Sequence, residues 1–264
     1  MKNKIGSVVI VILVAAVLWA GCTGTTSTPV DLKYRAIPGD SLSYGTRTVV
    51  SGQNTTDIRT LDMSVVKTEG DQITWDTGVN FRLPNGTPAN ATIRFTTNSQ
   101  GIPDTPEKQM ALNLMFMPNT LVYPDHPVRT GDTWQYTPAF NGTMNASGIR
   151  ADYQYTATDS FTYDKNGTVT VPAGSYECSH ILHTGTSRLT FTMPMENKTV
   201  ITVLEGTYSG DNWVMPENGF LVKSDYVWDT TTIIDTSSIM GDPLGLSMMG
   251  STSHSSSSAV LQRK

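Results

Sequence analysis

Short segments in which apolar and polar residues partly alternate recur along most of this chain, and turn residues separate them. One such run extends from Ile58 to Val66, and the tripeptide EGD at 69–71 divides it from the next. Similar segments occur at 149–163, 168–171, 175–183, 186–193, 198–208 and 219–235, with DKNG, PAG, HTG and MPMENK among the turns. Partial alternation indicates an antiparallel sheet with one solvated face. The pattern predicts one mainly all-β domain over residues 32–235, built as a curved antiparallel sheet, half-barrel or sandwich.

One segment, TPEKQMALNLMFMP at 105–118, has helical spacing instead. Thr105 suits an N-cap, Pro106 suits the first helical position, and Pro118 ends the pattern. We therefore expect a short α-helix near 106–116. Its apolar face either packs on the sheet, as such faces normally do, or covers an apolar pocket with flexible methionines.

The N-terminus has the features of an export signal. Lys2 and Lys4 precede an uncharged, mostly apolar run from Val8 to Gly21, and Cys22 follows directly. The length suits a signal peptide and is short for a membrane span. The arrangement resembles the lipobox of prokaryotic lipoproteins, which implies cleavage before Cys22 and a lipid on its thiol. Trp19 stands where leucine is usual, so an uncleaved anchor in residues 1–21 is the alternative.

Both alternatives predict a domain tethered in the cell envelope, on the extracytoplasmic face of the cytoplasmic membrane. Residues 22–31 are rich in threonine and serine and are expected to form a flexible linker. Removing residues 1–21 leaves 16 basic and 23 acidic residues, a net charge near −7. That balance argues against a nucleic-acid partner, which requires a basic face. The serine-rich segment 236–264 is predicted to be a disordered tail with a solvated His254.

The second cysteine, Cys178, lies close to two histidines in VPAGSYECSHILH. On a strand, Cys178 and His180 share a face about 7 Å apart, which is too far for a direct thiol–imidazole hydrogen bond. His180 and His183 point to opposite faces and lack further ligands for zinc. Without a partner for a disulfide, Cys178 is expected to be a buried apolar residue. We predict a non-enzymatic protein without cofactor or metal, although scattered carboxylates leave a glycosidase pair open.

Two motifs carry a resemblance to a group of exported proteins. PVRTGDTWQY at 127–136 and VTVPAGSYECSHI at 169–181 resemble paired motifs of uncharacterised β-rich exported lipoproteins of archaea and bacteria. The resemblance implies a fold similar to the curved antiparallel sheets of lipoprotein-carrier proteins. It implies no activity, and it favours turn and core roles for these residues.

Two functions remain open from the sequence. The protein either binds an apolar ligand such as a lipid or isoprenoid on a concave sheet, or it is a structural or adhesion module of the envelope. The candidate lining residues are Met110, Leu114, Met115, Met117, Trp134, Tyr136, Tyr153 and Tyr155.

Seven sequons offer glycan acceptors, which an archaeal host could use. They are Asn54, Asn85, Asn90, Asn141, Asn145, Asn166 and Asn197.

Overall fold

The strands of this protein form one open, curved antiparallel sheet, as the alternation predicts. The computed structural model describes residues 28–51, 56–82, 87–105, 108, 121–146, 149–195, 198–235 and 248–263. Eleven strands lie within these ranges: β1 Ser41–Val50, β2 Thr56–Glu69, β3 Gln72–Arg82, β4 Pro88–Asn98, β5 Thr133–Tyr136, β6 Ala139–Ala146, β7 Ile149–Val171, β8 Gly174–Met195, β9 Lys198–Val214, β10 Leu221–Asp235 and β11 Met248–Arg263. Their order is β4-β3-β2-β1-β11-β10-β9-β8-β7-β5, and β6 also pairs with β7.

The structure corrects the prediction of a disordered tail for residues 248–263, and residues 236–247 of that segment lie outside the described set. Residues 248–263 form β11, which lies in the middle of the sheet between β1 and β10. Leu261 is fully buried and Ser255 is 4% exposed. Pairing on both sides satisfies the backbone groups of this polar strand, so it needs little apolar surface of its own. The domain therefore extends to residue 263, and His254 is an exposed strand residue next to Asp229.

Of the predicted turns, DKNG and HTG are wrong, and EGD and PAG are confirmed. DKNG lies inside β7, where the pairing with β8 shifts between Tyr163 and Lys165, and HTG lies inside β8. Neighbouring strands pair with both segments, and a bulge absorbs the extra residue without ending the strand. EGD and PAG do connect strands, and each turn contains a glycine with positive φ, Gly70 at 58° and Gly174 at 137°.

Tyrosine rings lie across glycines of the neighbouring strand in the β8–β10 part of the sheet. Gly185 pairs with Tyr208 and Gly210 pairs with Tyr226. A Cβ at either glycine would overlap the ring of that tyrosine. The missing side chain lets an aromatic ring lie flat on the neighbouring backbone, a contact that designed curved sheets also use.

The apolar side chains form three clusters, and the N-terminal segment contributes to two of them. The first cluster joins β1–β4 with Phe220, Val222 and Leu261; the second contains Leu32, Trp134 and Phe161; the third contains Tyr153, Tyr155, Ala157 and Leu189. Val30 pairs with Val128 as an isolated antiparallel bridge, and Leu32 is fully buried. The ordered domain therefore begins within the segment 22–31 that was predicted to be a linker.

The predicted helix at 106–116 lies outside the described residues except for Lys108, whose backbone N–H donates to Thr105 Oγ1 at 3.4 Å. The signal or anchor segment 1–21 and Cys22 also lie outside them. Across the described part of the chain, no helix has the length and apolarity that a membrane span requires.

Candidate functional site

A cavity of about 140 Å³ lies within the first apolar cluster. Residues from β1–β4, β10, β11, the N-terminal segment, the segment between β4 and β5, and the β9–β10 connection surround it. They are Tyr34, Leu42, Tyr44, Thr46, Leu61, Met63, Trp75, Phe95, Thr97, Gly101, Leu121, Phe220, Leu221 and Ala259. None of these described residues carries a charged side chain. An apolar concave site with a few fixed polar groups is the usual form of a small-molecule site.

Strand register brings the aromatic and aliphatic walls of the cavity together. Tyr44 of β1 faces Leu61 of β2, and Trp75 of β3 faces Phe95 of β4. Trp75 meets Phe220 edge to face, with ring centroids 6.2 Å apart at 70°. Edge-to-face contacts are a preferred aromatic geometry and fix the rings in position.

A close backbone contact at the edge of the cavity requires a glycine at position 101. Gly101 has φ 90°, and a Cβ there would lie 2.7 Å from the backbone oxygen of Leu121 and 2.9 Å from the Tyr34 ring. Only a residue without a side chain adopts this conformation at so close an approach without strain. Gly101 therefore lets Leu121 and Tyr34 approach each other at the cavity.

Two polar groups of the lining are occupied within the protein. The Trp75 indole N–H donates to Thr97 Oγ1 at 3.0 Å, and the Tyr44 hydroxyl donates to the backbone oxygen of Leu221 at 3.0 Å. Burial raises the pKa of Tyr34 to about 12 and raises the pKa of Tyr44 further above its usual value. Both phenols are therefore uncharged at neutral pH, and the described part of the lining is electrically neutral.

The four predicted lining residues that the structure describes do not line this cavity. Trp134 and Tyr136 belong to the second apolar cluster, and Tyr153 and Tyr155 belong to the third. The other four candidates, Met110, Leu114, Met115 and Met117, lie outside the described residues. The signal that was missed is the period-two pattern of β3, where Ile73, Trp75, Thr77 and Val79 are all buried.

Cys178 and His180 have different contacts, and Cys178 is buried, as the sequence analysis predicted. Cys178 is 1% exposed, and burial, with smaller contributions from Glu217 and Glu177, raises the pKa of its thiol to about 11. Its Sγ lies 3.5 Å from the backbone oxygen of Tyr176. A thiol with a raised pKa is a poor nucleophile because the reactive form is the thiolate.

His180 lies between two carboxylates. Its Nδ1 is 2.9 Å from Asp164 Oδ2, and its Nε2 is 3.0 Å from Asp211 Oδ1. The ring stacks on Trp213 with centroids 4.2 Å apart. The hydrogen bond from His180 is the main cause that lowers the pKa of Asp164. These contacts join β7, β8 and β9 through side chains.

His183 belongs to a different, buried network. Asn212 Nδ2 donates to the Tyr226 hydroxyl at 2.6 Å, and that hydroxyl lies 2.8 Å from His183 Nδ1. His183 Nε2 is 2.8 Å from Asp159 Oδ1, which also accepts from the Tyr208 hydroxyl at 2.5 Å. A neutral ring with its proton on Nε2 satisfies every bond. The two histidines thus have no partner in common.

Both motifs of the lipoprotein resemblance have turn and core roles. In the first, Asp132 Oδ2 accepts from the Arg129 backbone N–H at 2.8 Å, and Trp134 donates to the Val122 oxygen at 2.7 Å. In the second, Gly174 forms the hairpin turn, and Val171 and Cys178 are buried in the first cluster.

Three of the predicted glycan acceptors have described side chains, and all three are exposed: Asn90, Asn141 and Asn166. They lie within β4, β6 and β7, and Asn166 belongs to DKNG, one of the predicted turns that lie inside a strand. Asn166 Oδ1 accepts from the Tyr163 hydroxyl at 2.7 Å. The side chains of Asn54, Asn85, Asn145 and Asn197 lie outside the described set.

No protein-family model and no curated protein matches the chain. Among solved structures it is similar to a candidate lipoprotein from Parabacteroides distasonis, with 14% identity, TM-score 0.37, and coverage of 88% of this chain and 99% of the other. It is also similar to a candidate exported protein with a YmcC-like fold from Bacteroides fragilis (13% identity, TM-score 0.34, 89% and 99% coverage). A third is the hypothetical lipoprotein YmcC from Escherichia coli (10% identity, TM-score 0.27, 93% and 97% coverage). Likeness at this level carries no argument about function.

Proposed function

We propose that this chain is a membrane-anchored lipoprotein of the cell envelope whose domain binds a hydrophobic ligand, such as a lipid, without catalysing a reaction. The cavity in the first apolar cluster is the observation that carries the proposal. Core packing normally leaves few voids larger than a water molecule, because an unfilled apolar space forfeits dispersion contacts. A retained apolar cavity with aromatic walls is therefore a site for an apolar molecule.

The anchor is supported by the N-terminus. A basic pair, an apolar run and Cys22 follow one another in the order of a lipoprotein signal. Cleavage and lipidation at Cys22 would place the domain on the extracytoplasmic face of the cytoplasmic membrane. The absence of an activated thiol at Cys178, the buried cysteine, supports a binding role over a thiol-based reaction.

Native mass spectrometry tests the proposal on the protein from its own source. The chain is released from the envelope by protease cleavage in the segment after Cys22 and is sprayed without detergent. We expect a bound mass of a few hundred daltons that is lost on denaturation.

The Ala259→Leu variant fills part of the cavity and should lose the bound mass. Ser256→Leu, an exposed change on the same strand, should keep it. A bare polypeptide mass in the wild-type protein, apart from covalent glycans, would refute ligand binding and favour the structural or adhesion module.

A further inference from the structure

The cavity has two properties that restrict its ligand beyond being hydrophobic. The first is charge: none of its fourteen described lining residues is acidic or basic. The lining donors identified above, the Trp75 indole and the Tyr44 hydroxyl, are already bonded to Thr97 and Leu221. A carboxylate or phosphate entering here would lose its hydration and meet no cationic side chain among the described lining residues, which is strongly unfavourable.

The second property is size. The volume of about 140 Å³ is close to that of an engineered apolar cavity of about 150 Å³ that holds one benzene molecule. A complete long acyl chain does not fit in such a space. Rings and short branched hydrocarbons do, and the edge-to-face walls formed by Tyr34, Trp75 and Phe220 suit them.

We infer that the part of the ligand that enters this cavity is an uncharged, ring-sized apolar group, either a single ring or the branched end of an isoprenoid. The inference rests on the proposed function and narrows its ligand class. Straight fatty acids that bury their carboxylate are excluded by the neutral lining, and intact diacyl lipids are excluded by the volume.

Toluene and benzoate form a matched pair for the test, since they share a ring and differ in charge. Each is titrated calorimetrically into the protease-released chain at pH 7, and the melting temperature is measured at the same concentrations. A ligand that binds only the folded state raises that temperature by mass action. We expect saturable toluene binding, and benzoate binding at least about tenfold weaker, the ratio that corresponds to 1.4 kcal/mol. The Ala259→Leu variant should lose toluene binding, and Ser256→Leu should keep it.

Two results would overturn the inference. If benzoate binds as tightly as toluene and Ala259→Leu abolishes both, the charge selectivity is refuted while an apolar ligand site remains. If toluene does not bind to wild-type protein but native mass spectrometry still finds a ligand, that ligand occupies another site. A missing native ligand together with no toluene binding would refute the proposed function itself.

Discussion

Replacing Leu261 by alanine tests whether the serine-rich C-terminal segment is a structural strand. Leu261 is fully buried in the first apolar cluster and pairs with Tyr44 of β1. A buried Leu→Ala change removes the transfer free energy of the lost methyl groups and leaves a cavity, which together cost roughly 2–5 kcal/mol. We expect the free energy of unfolding to fall by about 3 kcal/mol.

Urea unfolding followed by tryptophan fluorescence measures this loss, because Trp75 is buried in the same cluster. With an m-value of about 3 kcal/mol/M, the midpoint should fall by about 1 M. Ser256→Ala is the control, since Ser256 is exposed on the same strand and should change stability by less than about 0.5 kcal/mol. If Leu261→Ala has an effect as small as the control, β11 is not part of the folded sheet and the architecture around it is wrong.

Three further perturbations test other parts of the structure. Gly185→Ala should lower the free energy of unfolding by roughly 1–3 kcal/mol, because its Cβ would overlap a tyrosine ring. Gly78→Ala is the control: no atom lies within 4 Å of the added Cβ, so the free energy of unfolding should not fall in the same urea assay. The pKa of Asp164 is lowered chiefly by its bond from His180. The ionised Asp164 carboxylate therefore stabilises the fold at pH values above its unfolded pKa of about 3.9. This stabilisation is lost as the pH falls through the lower pKa of the folded state. Asp164→Asn should accordingly be less stable than wild type at pH 6, with the gap closing toward pH 2; a constant gap would contradict this. The Cys178 thiol, with its pKa near 11, should resist a thiol reagent at pH 8 until urea unfolds the chain, and rapid labelling of the native protein would refute its burial.

Local patterns predicted the class of fold because the alternation of side chains is a property of each strand by itself. Turn residues are a second local signal: in the β7–β8 hairpin, PAG has both the proline and the glycine that a tight turn requires. The failures at DKNG and HTG have a tertiary cause. HTG pairs on both sides, with β7 and β9, and DKNG pairs with β8 next to a bulge, so backbone hydrogen bonds to neighbouring strands override both turn sequences.

The pairing of β1 with β11 could not be predicted from local sequence. It joins residues near positions 43–50 to residues 255–263, and no local pattern encodes a contact across such a separation. The composition of β11 is typical of disorder because it has too few apolar residues to fold alone. Because β11 lies between two strands that pair with it, it does not need enough apolar residues to fold alone. The cavity was missed partly for the same reason, since Phe220, Leu221 and Ala259 join walls that come from β1–β4.

The tether and the cavity are close to each other in the chain, and this bears on how a ligand would arrive. Val30 is already paired with Val128, and Tyr34, four residues later, lines the cavity. Cys22 lies eight residues before Val30, and eight extended residues span at most about 29 Å. With the proposed lipid on Cys22, the folded domain therefore begins within about 29 Å of the anchor. The cavity is formed partly by this same N-terminal segment, so anchoring keeps it near the bilayer, where apolar ligands concentrate. Under the proposed function, this tether would keep the cavity in the region where its apolar ligand is most concentrated.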